Sequence, residues 1–376
     1  MTRTATQTTI VPNTLLLGVD AATRHHENFP AYFEEFLSLV KTHGSPQEHT
    51  LIIKLRTIDS AYFLTTGKLE EVKKICTQHQ IEQVIISEAL SPQQERNLTD
   101  YLECAVIDRT RLILEIFQKA ALSAEGKAQV EIAMLQHEKT RLAGKGAGMA
   151  QQLGVAGARG GPGETLKERE RRHIDLLIHR LKKQLEKISQ TRQTQRKQRQ
   201  SSNLPLLCLI GYTNAGKSTI LNLLTKSDVL AQDKLFATLD TTTRELFING
   251  KKRALLSDTV GFIQNLPTRL VEAFKSTLAE LSYADLLIHI IDIANPSWQQ
   301  HIRTVNELLT ELGVVDKPIV HVFNKCDKIE MTPELNQAIE LYQPYVTISA
   351  RSKTGIQPLI NFLDQSVPQK TEFTSA

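Results

Sequence analysis

Eight consecutive residues in the second half of the chain have the types and spacing that hold a triphosphate. Gly211 and Gly216 allow the backbone to curl so that its N–H groups point at phosphate oxygens. Lys217 can neutralise the β- and γ-phosphates, and the Ser218 hydroxyl is a hard oxygen suited to Mg²⁺. The apolar run 206–210 predicts a buried strand before them, with a helix from Lys217 onward. The sequence therefore predicts a phosphate-binding loop of Gly211, Tyr212, Thr213, Asn214, Ala215, Gly216, Lys217 and Ser218.

Residues 236–244 form a hydroxyl-rich segment. It leads into the next predicted strand, which covers residues 244–248. A triphosphate with bound Mg²⁺ needs a further protein oxygen, from a loop that senses the γ-phosphate. This segment is a candidate because it contains several threonines beside an aspartate. Residue types alone do not choose the ligand among Thr238, Thr241, Thr242 and Thr243.

An apolar run at 254–257 leads into an acid and then a glycine, in the order Asp258, Thr259, Val260 and Gly261. A carboxylate there can hold a water on Mg²⁺, and the Gly261 N–H can bond the γ-phosphate until that phosphate is lost. Phe262 follows, at the place where many GTPases have a water-orienting glutamine. Because a phenyl ring cannot position water by hydrogen bonding, we expect slow nucleotide hydrolysis by the protein alone.

The nucleotide base is expected to meet the segment after the apolar run 319–323, which consists of Asn324, Lys325, Cys326 and Asp327. The Asp327 carboxylate can accept hydrogen bonds from N1–H and the 2-amino group of guanine, whereas adenine offers neither donor there. The segment after the predicted strand 345–348 can offer a backbone N–H to the guanine carbonyl, and it consists of Ser349, Ala350 and Arg351. The sequence therefore predicts a site for GTP rather than ATP.

The length of 376 residues predicts two or three domains. The composition fits a cytoplasmic protein. Its cysteines have no close pairs in sequence, so no disulfide framework or zinc site is predicted. No apolar stretch approaches the length of a membrane span, and residues 1–13 lack the basic-then-apolar order of a secretion signal. We expect a monomer without a membrane span.

Positive charge is concentrated in residues 166–200, where twelve Lys or Arg residues stand against four Asp or Glu, although the whole chain has a net charge of only +4. Apolar residues recur there at three- and four-residue steps, which predicts one apolar face of a long helix, made of Ile174, Leu177, Ile178, Leu181, Leu185 and Ile188. The basic side chains either form a solvated helix face or contact RNA phosphates.

Glycines are concentrated just before this helix, with eight of the chain's 18 between Gly144 and Gly163. Glycine-rich sequence loses the most backbone entropy on ordering, so this segment is either a plain linker or a loop that a charged partner orders. Lys145 and Arg159 within it favour the partner. A helical pattern through Val130 and Leu142 precedes the segment, so we expect a hairpin of two helices.

The first hundred residues alternate predicted strands, at 15–19, 51–55 and 83–86, with predicted helices, at 31–43, 68–78 and 92–102. This order is typical of a small α/β domain with a parallel sheet. The expected fold class is α/β, with a P-loop GTPase domain of parallel-rich sheet preceded by this small domain and the helical hairpin. The expected boundaries are 1–107, 108–203 and 204–376.

Together these motifs resemble the HflX family of ribosome-associated GTPases over nearly the whole chain. The most specific are 258–263, 161–165 before the basic helix, and the run Phe236, Ala237, Thr238, Leu239 and Asp240. The resemblance implies that Thr238 joins Ser218 as a metal ligand, and we expect catalysis from Lys217, Thr238 and Gly261. Asn214 stands where related potassium-using GTPases have an asparagine, so K⁺ is expected near the phosphates.

The resemblance implies a GTP-hydrolysing protein that docks on the large ribosomal subunit, brings its hairpin near ribosomal RNA, and splits or rescues stalled ribosomes. Two alternatives remain open. One is an RNA-binding ribosome assembly factor timed by GTP, and the other is a regulatory GTPase that binds a protein partner without RNA. Steep salt dependence of binding distinguishes the two RNA-binding functions from the third. Splitting of assembled ribosomes distinguishes the first function from the second.

Overall fold

The computed structural model describes residues 12–24, 28–142, 166–200, 204–225, 235–236, 242–259, 261–264 and 280–366, and within the helix 166–200 the side chains of 168–188, 190 and 191. The chain forms two compact units. The first consists of Met1–Ile116 with Met134–His179, and the second of Phe117–Ala133 with Arg180–Ala376.

The first unit contains a sheet of four parallel strands in the order β2-β1-β3-β4, namely β1 Thr14–Ala21, β2 His49–Leu55, β3 Gln83–Ile86 and β4 Ala105–Ile107. Helices alternate with the strands, as α1 Phe29–His43, α2 Thr66–Gln78 and α3 Pro92–Leu102. The central strand β1 is buried almost throughout, because helices cover both faces of a parallel sheet. The predicted small α/β domain is therefore confirmed.

Local sequence signals fix the ends of these helices. At the start of α1 the Asn28 side chain accepts the Ala31 N–H at 3.2 Å, and Gly44 ends the helix in the left-handed conformation at φ 91°. At the start of α3 Ser91 and Gln94 bond each other's backbone N–H groups reciprocally. Both helices therefore begin where their capping residues stand.

Three further helices connect the two sheets in sequence, as α4 Arg109–Ala120, α5 Ala124–Leu142 and α6 Leu166–Gln200. Ile174 and Ile178 of α6 are buried, whereas Arg180 and Lys183 are exposed. The predicted apolar face is therefore present in α6. The glycine-rich run 144–163 lies outside the described residues.

The second unit contains a six-stranded sheet in the order β10-β9-β8-β5-β7-β6. Its strands are β5 Leu206–Gly211, β6 Thr242–Ile248, β7 Lys251–Asp258, β8 Leu286–Asp292, β9 Ile319–Asn324 and β10 Tyr345–Thr347. Neighbours are parallel except for β6, which runs antiparallel to β7. The described α-helices that follow β5 are α7 Lys217–Thr225, α8 Trp298–Glu311, α9 Pro333–Glu340 and α10 Gln357–Ser366.

The parallel register brings the carboxyl ends of four strands to one edge of this sheet. Gly211 at the end of β5 is level with Ile290 of β8, and Asp292 at the end of β8 is level with Asn324 at the end of β9. Asp258 ends β7 beside β5. Ligands of open α/β sheets bind outside this edge, so the fold directs the predicted site residues toward one place.

Candidate active site

The phosphate-binding loop runs from the end of β5 to the start of α7, as the sequence predicts. Gly211 has φ 143° and Gly216 has φ 101°, a backbone region that L side chains rarely adopt. A Cβ at Gly211 would lie 2.2 Å from the Ile290 carbonyl oxygen, and one at Gly216 would lie 2.4 Å from Asn324 Nδ2. Both positions therefore require glycine for conformation and for space.

Lys217 is buried at the first turn of α7, and its Nζ donates to the carbonyl oxygens of Gly211 at 3.0 Å and Tyr212 at 2.7 Å. Burial lowers the pKa of Lys217 to about 8, while the charge of Asp258 acts in the opposite direction. Bound phosphates would favour the ammonium form, so the lysine is suited to neutralising them.

Ser218 and Asp258 lie in direct contact, with the Ser218 hydroxyl donating to Asp258 Oδ2 at 2.8 Å. Asp258 is fully buried, and the next residue, Thr259, donates its hydroxyl to the Leu209 carbonyl at 2.7 Å. These hard oxygens fit Mg²⁺, which takes few protein ligands and keeps waters and phosphate oxygens. Within the described residues, no group of three or more His, Cys, Asp or Glu side chains could hold a metal by itself.

The segment after Asp258 lies on the phosphate loop. Thr213 N–H donates to the Phe262 carbonyl at 2.8 Å, and Phe262 N–H donates to the Gly211 carbonyl at 3.2 Å. A Cβ at Gly261 would lie 2.8 Å from Thr213 Cγ2 and 3.1 Å from Lys217 Nζ. The structure thus brings Gly261 next to the lysine, while its contact with a γ-phosphate remains a prediction.

Asn324 ties residues 324–327, the predicted base-recognition segment, to the phosphate loop. It is 2 % exposed, its Nδ2 donates to the Ala215 carbonyl at 2.8 Å, and its Oδ1 accepts the Ala350 N–H at 2.9 Å. The Ala350 N–H is therefore engaged by protein in this structure. One buried amide joins three segments that the sequence assigned to the nucleotide.

Lys325 makes a second tie to the phosphate loop, from a left-handed backbone conformation at φ 65°. Its Nζ donates to the Asn214 carbonyl at 2.8 Å and pairs with Asp292 Oδ2 at 2.7 Å. Asp292 was not among the predicted site residues. Its position at the end of β8 could have indicated it as a site residue, because that strand end adjoins the ends of β5 and β9.

Asp327 lies close to residues 349–351, the second predicted base-recognition segment. Its Oδ1 accepts the Ser349 hydroxyl at 2.6 Å, and its Oδ2 is 4.0 Å from Arg351 Nη1. The Ser349 hydrogen bond is the main reason why the pKa of Asp327 is lowered. An ionised carboxylate accepts hydrogen bonds only, which suits the guanine edge. Cys326 begins the short 3₁₀ turn Cys326–Lys328, with its N–H bonded to the Ile348 carbonyl at 3.3 Å.

Several predicted residues lie outside the described part of the chain, namely Ala237, Thr238, Leu239, Asp240, Thr241 and Val260. The choice among the threonines therefore stays a prediction. Phe236 is described and buried, and its ring meets that of Phe117 edge-on with centroids 4.4 Å apart. Nothing in the local sequence indicated this contact.

Comparison with known proteins divides the chain into three matched regions. A model described as GTP-binding GTPase N-terminal matches residues 31–118, one described as GTP-binding GTPase Middle Region matches 120–199, and one described as 50S ribosome-binding GTPase matches 206–325.

Individual relatives cover most of the chain. A GTPase HflX of Caldanaerobacter subterraneus subsp. tengcongensis is 42 % identical over 91 % of this chain and 78 % of its own length. The chain belongs to the HflX family. The GTPase HflX of Escherichia coli is 40 % identical over 88 % of this chain and 78 % of its own length. A crystal structure of SsGBP with GDP is 26 % identical, covers 94 % of this chain and 98 % of its own, and has a TM-score of 0.51.

As a member of the HflX family the chain is a GTPase, so the predicted enzyme class and nucleotide are confirmed.

The described residues include no helix long and apolar enough to span a membrane. Gly355 is a further glycine near the site that no sequence pattern indicated. A Cβ there would lie 2.2 Å from the Ser349 carbonyl oxygen, so glycine lets the chain close against the base-recognition segment.

Proposed function

We propose that this GTPase acts on the large ribosomal subunit, where GTP hydrolysis times the splitting or rescue of ribosomes. The proposal is supported by the relatives named GTPase HflX and by the 50S ribosome-binding description of the matching GTPase model. A protein that acts on ribosomes is located in the cytoplasm, and we propose that this one acts as a monomer. Its three functional parts are residues 1–107, 108–203 and 204–376.

The observation that supports this target best is the basic surface of α6. Its described side chains include exposed cations at Arg169, Arg171, Arg172, Arg180, Lys182, Lys183 and Lys187. Such a concentration of exposed cations attracts a polyanion and releases counterions when it neutralises phosphates. Ribosomal RNA offers that polyanion, so α6 is the proposed RNA contact.

At the nucleotide, each site residue has a proposed role. Lys217 neutralises the β- and γ-phosphates, and the Gly261 N–H bonds the γ-phosphate. Mg²⁺ would be held by the hydroxyls of Ser218 and Thr238, and Asp258 would support it through a water molecule. The ion would offset the phosphate charge that develops during hydrolysis. Asp327 recognises guanine, with Asn324 and the Ser349 segment shaping the pocket.

Two features of the hydrolysis step are also proposed. Phe262 has no hydrogen-bonding side chain, so the water-orienting group comes from elsewhere and ribosomal subunits accelerate turnover about tenfold or more. Asn214 would hold K⁺ near the phosphates, where the ion would add positive charge. Equal rates of GTP hydrolysis in KCl and NaCl would refute the role of potassium. Equal rates with and without large subunits would refute the acceleration by ribosomal subunits.

Cosedimentation tests the proposed target. The full-length protein is spun with large subunits and with whole ribosomes, in GDP and in a non-hydrolysable GTP analogue, at rising KCl concentrations. We expect large subunits to be captured with the analogue and released steeply by salt. Shallow salt dependence would favour a protein partner without RNA, and failure to split whole ribosomes would favour an assembly factor.

A charge-reversal pair sharpens this experiment. Arg180→Glu with Lys183→Glu removes two exposed cations of α6 and should reduce the logarithmic salt slope by about 1–2. Lys251→Glu reverses an exposed cation at the start of β7 and serves as the matched control. If the α6 double variant and Lys251→Glu change the salt slope by the same amount, α6 is not the RNA contact.

A further inference from the structure

Tyr212 has a side chain that phosphate binding does not explain. It stands second in the phosphate loop, where the phosphates require only backbone N–H groups. Its ring is nevertheless buried, and it stacks on the ring of His301 in α8, with centroids 3.7 Å apart and planes 7° apart. A stacked pair of planar rings holds the orientation of both.

The hydroxyl at the other end of the Tyr212 ring holds the segment after Gly261. It accepts the backbone N–H of Gln264 at 2.8 Å, while the Tyr212 backbone forms a parallel bridge with Phe262. The Tyr212 carbonyl also accepts Lys217 Nζ at 2.7 Å. One residue therefore connects the phosphate-facing lysine to the segment that would sense the γ-phosphate.

His301 is suited to hold this ring as a neutral aromatic group. Burial lowers the pKa of His301 to about 4, with Asp292 acting in the opposite direction. Asp292 itself pairs with Lys325 at 2.7 Å. At neutral pH the imidazole therefore has no charge and stacks on the phenol without needing a counter-ion.

We propose that Tyr212 is a positioning residue for GTP hydrolysis, which holds the Gly261–Gln264 segment over the phosphate loop, and that His301 holds the Tyr212 ring for this task. The inference rests on the proposed role of Gly261. The Phe262 side chain cannot orient water by hydrogen bonding. The segment is held by the packing of the buried Phe262 and Ile263, by its backbone bonds to the phosphate loop and by the Tyr212 hydroxyl. Correct placement of a backbone N–H at a developing charge accelerates the reaction.

The test compares steady-state GTP hydrolysis by full-length variants. Tyr212→Phe removes only the hydroxyl, and we expect kcat to fall about fivefold with KM for GTP within about twofold, as for the loss of one hydrogen bond in the transition state. His301→Ala should cause a similar fall. His301→Phe keeps a flat ring and should restore kcat to within about twofold of the unmodified protein. Tyr342→Phe removes a hydroxyl elsewhere in the same unit and is the matched control.

Amide exchange supplies a readout that a general loss of stability would not reproduce. In Tyr212→Phe the Gln264 amide should exchange faster, whereas the Phe262 amide, bonded to the Gly211 carbonyl at 3.2 Å, should keep its protection. Uniformly faster exchange across the second unit would overturn the proposal.

Gly261→Ala separates this inference from the proposed role of Gly261, because a Cβ there would lie 3.1 Å from Lys217 Nζ. If Gly261→Ala lowers kcat but Tyr212→Phe does not, the positioning role is wrong while the Gly261 role stands. If Gly261→Ala leaves kcat unchanged, both are wrong. A fall in kcat in both variants, with rescue by His301→Phe, supports the proposal.

Discussion

Asn324→Ala tests whether one buried amide holds the phosphate loop to the base-recognition segments. The substitution removes the hydrogen bonds to the Ala215 carbonyl at 2.8 Å and from the Ala350 N–H at 2.9 Å. Asn324 is 2 % exposed, so water does not readily replace the lost amide. Each buried polar group left unsatisfied costs about 1–3 kcal/mol, and we expect the free energy of unfolding to fall by about 2–4 kcal/mol.

The assay is urea unfolding followed by the emission of Trp298, the single tryptophan of the chain. Trp298 is buried at the start of α8, so its emission reports on the second unit alone. This choice matters because a chain of two units need not unfold in one step. GDP affinity, measured by calorimetry, should fall about tenfold or more, since the phosphate loop loses its tie to the base-recognition segments.

Asn361→Ala is the matched control. Asn361 lies on α10 in the same unit, and its amide oxygen accepts one exposed hydrogen bond from Gln357 at 2.9 Å. Exposed substitutions of this kind usually change stability by no more than about 0.5 kcal/mol. If Asn324→Ala were as mild as this control in both stability and GDP affinity, the reasoning from the buried amide would be refuted.

Three further predictions concern the nucleotide. Because burial lowers the pKa of Lys217 to about 8, the free protein loses the ammonium charge as pH rises, and GDP affinity in calorimetry should fall about threefold between about pH 7.5 and 8.5. Asp327→Asn should weaken GDP binding about a hundredfold and favour xanthosine diphosphate, whose 2-carbonyl accepts the new amide donor; unchanged GDP affinity would contradict the base assignment. Gly216→Ala should weaken GDP binding strongly, because its Cβ would lie 2.4 Å from Asn324 Nδ2 at φ 101°.

Much of the fold was predictable because parallel strands covered on both faces are continuous apolar runs. The run predicted at 206–210 is strand β5, and 83–86 is β3. The residues assigned to the phosphates and base follow strand ends directly, and parallel strands bring those ends to one edge. Local order along the sequence was therefore enough to bring the described part of the set together, whereas residues 237–241 and 260 stay predictions.

Contacts made by side chains across the unit were not predictable in this way. The stack of Tyr212 on His301 joins a loop to a helix far along the chain, and neither residue belongs to a spacing pattern that indicates it. The same holds for Phe236 against Phe117. Such contacts depend on how helices pack over the sheet, which periodicity does not specify.

The phosphate loop is held in shape by its neighbours as well as by its own glycines. The carbonyls of Ala215 and Asn214 accept bonds from Asn324 and Lys325, and the Thr213 N–H donates to the segment after Gly261. Hydrogen bonds within the protein thus fasten the three loops to one another, which limits the conformational freedom that nucleotide binding must remove. We expect the loss of the γ-phosphate at one loop to affect the other two through these hydrogen bonds. Substitutions that break these bonds in any of the three loops should therefore weaken phosphate binding even when the unit stays folded.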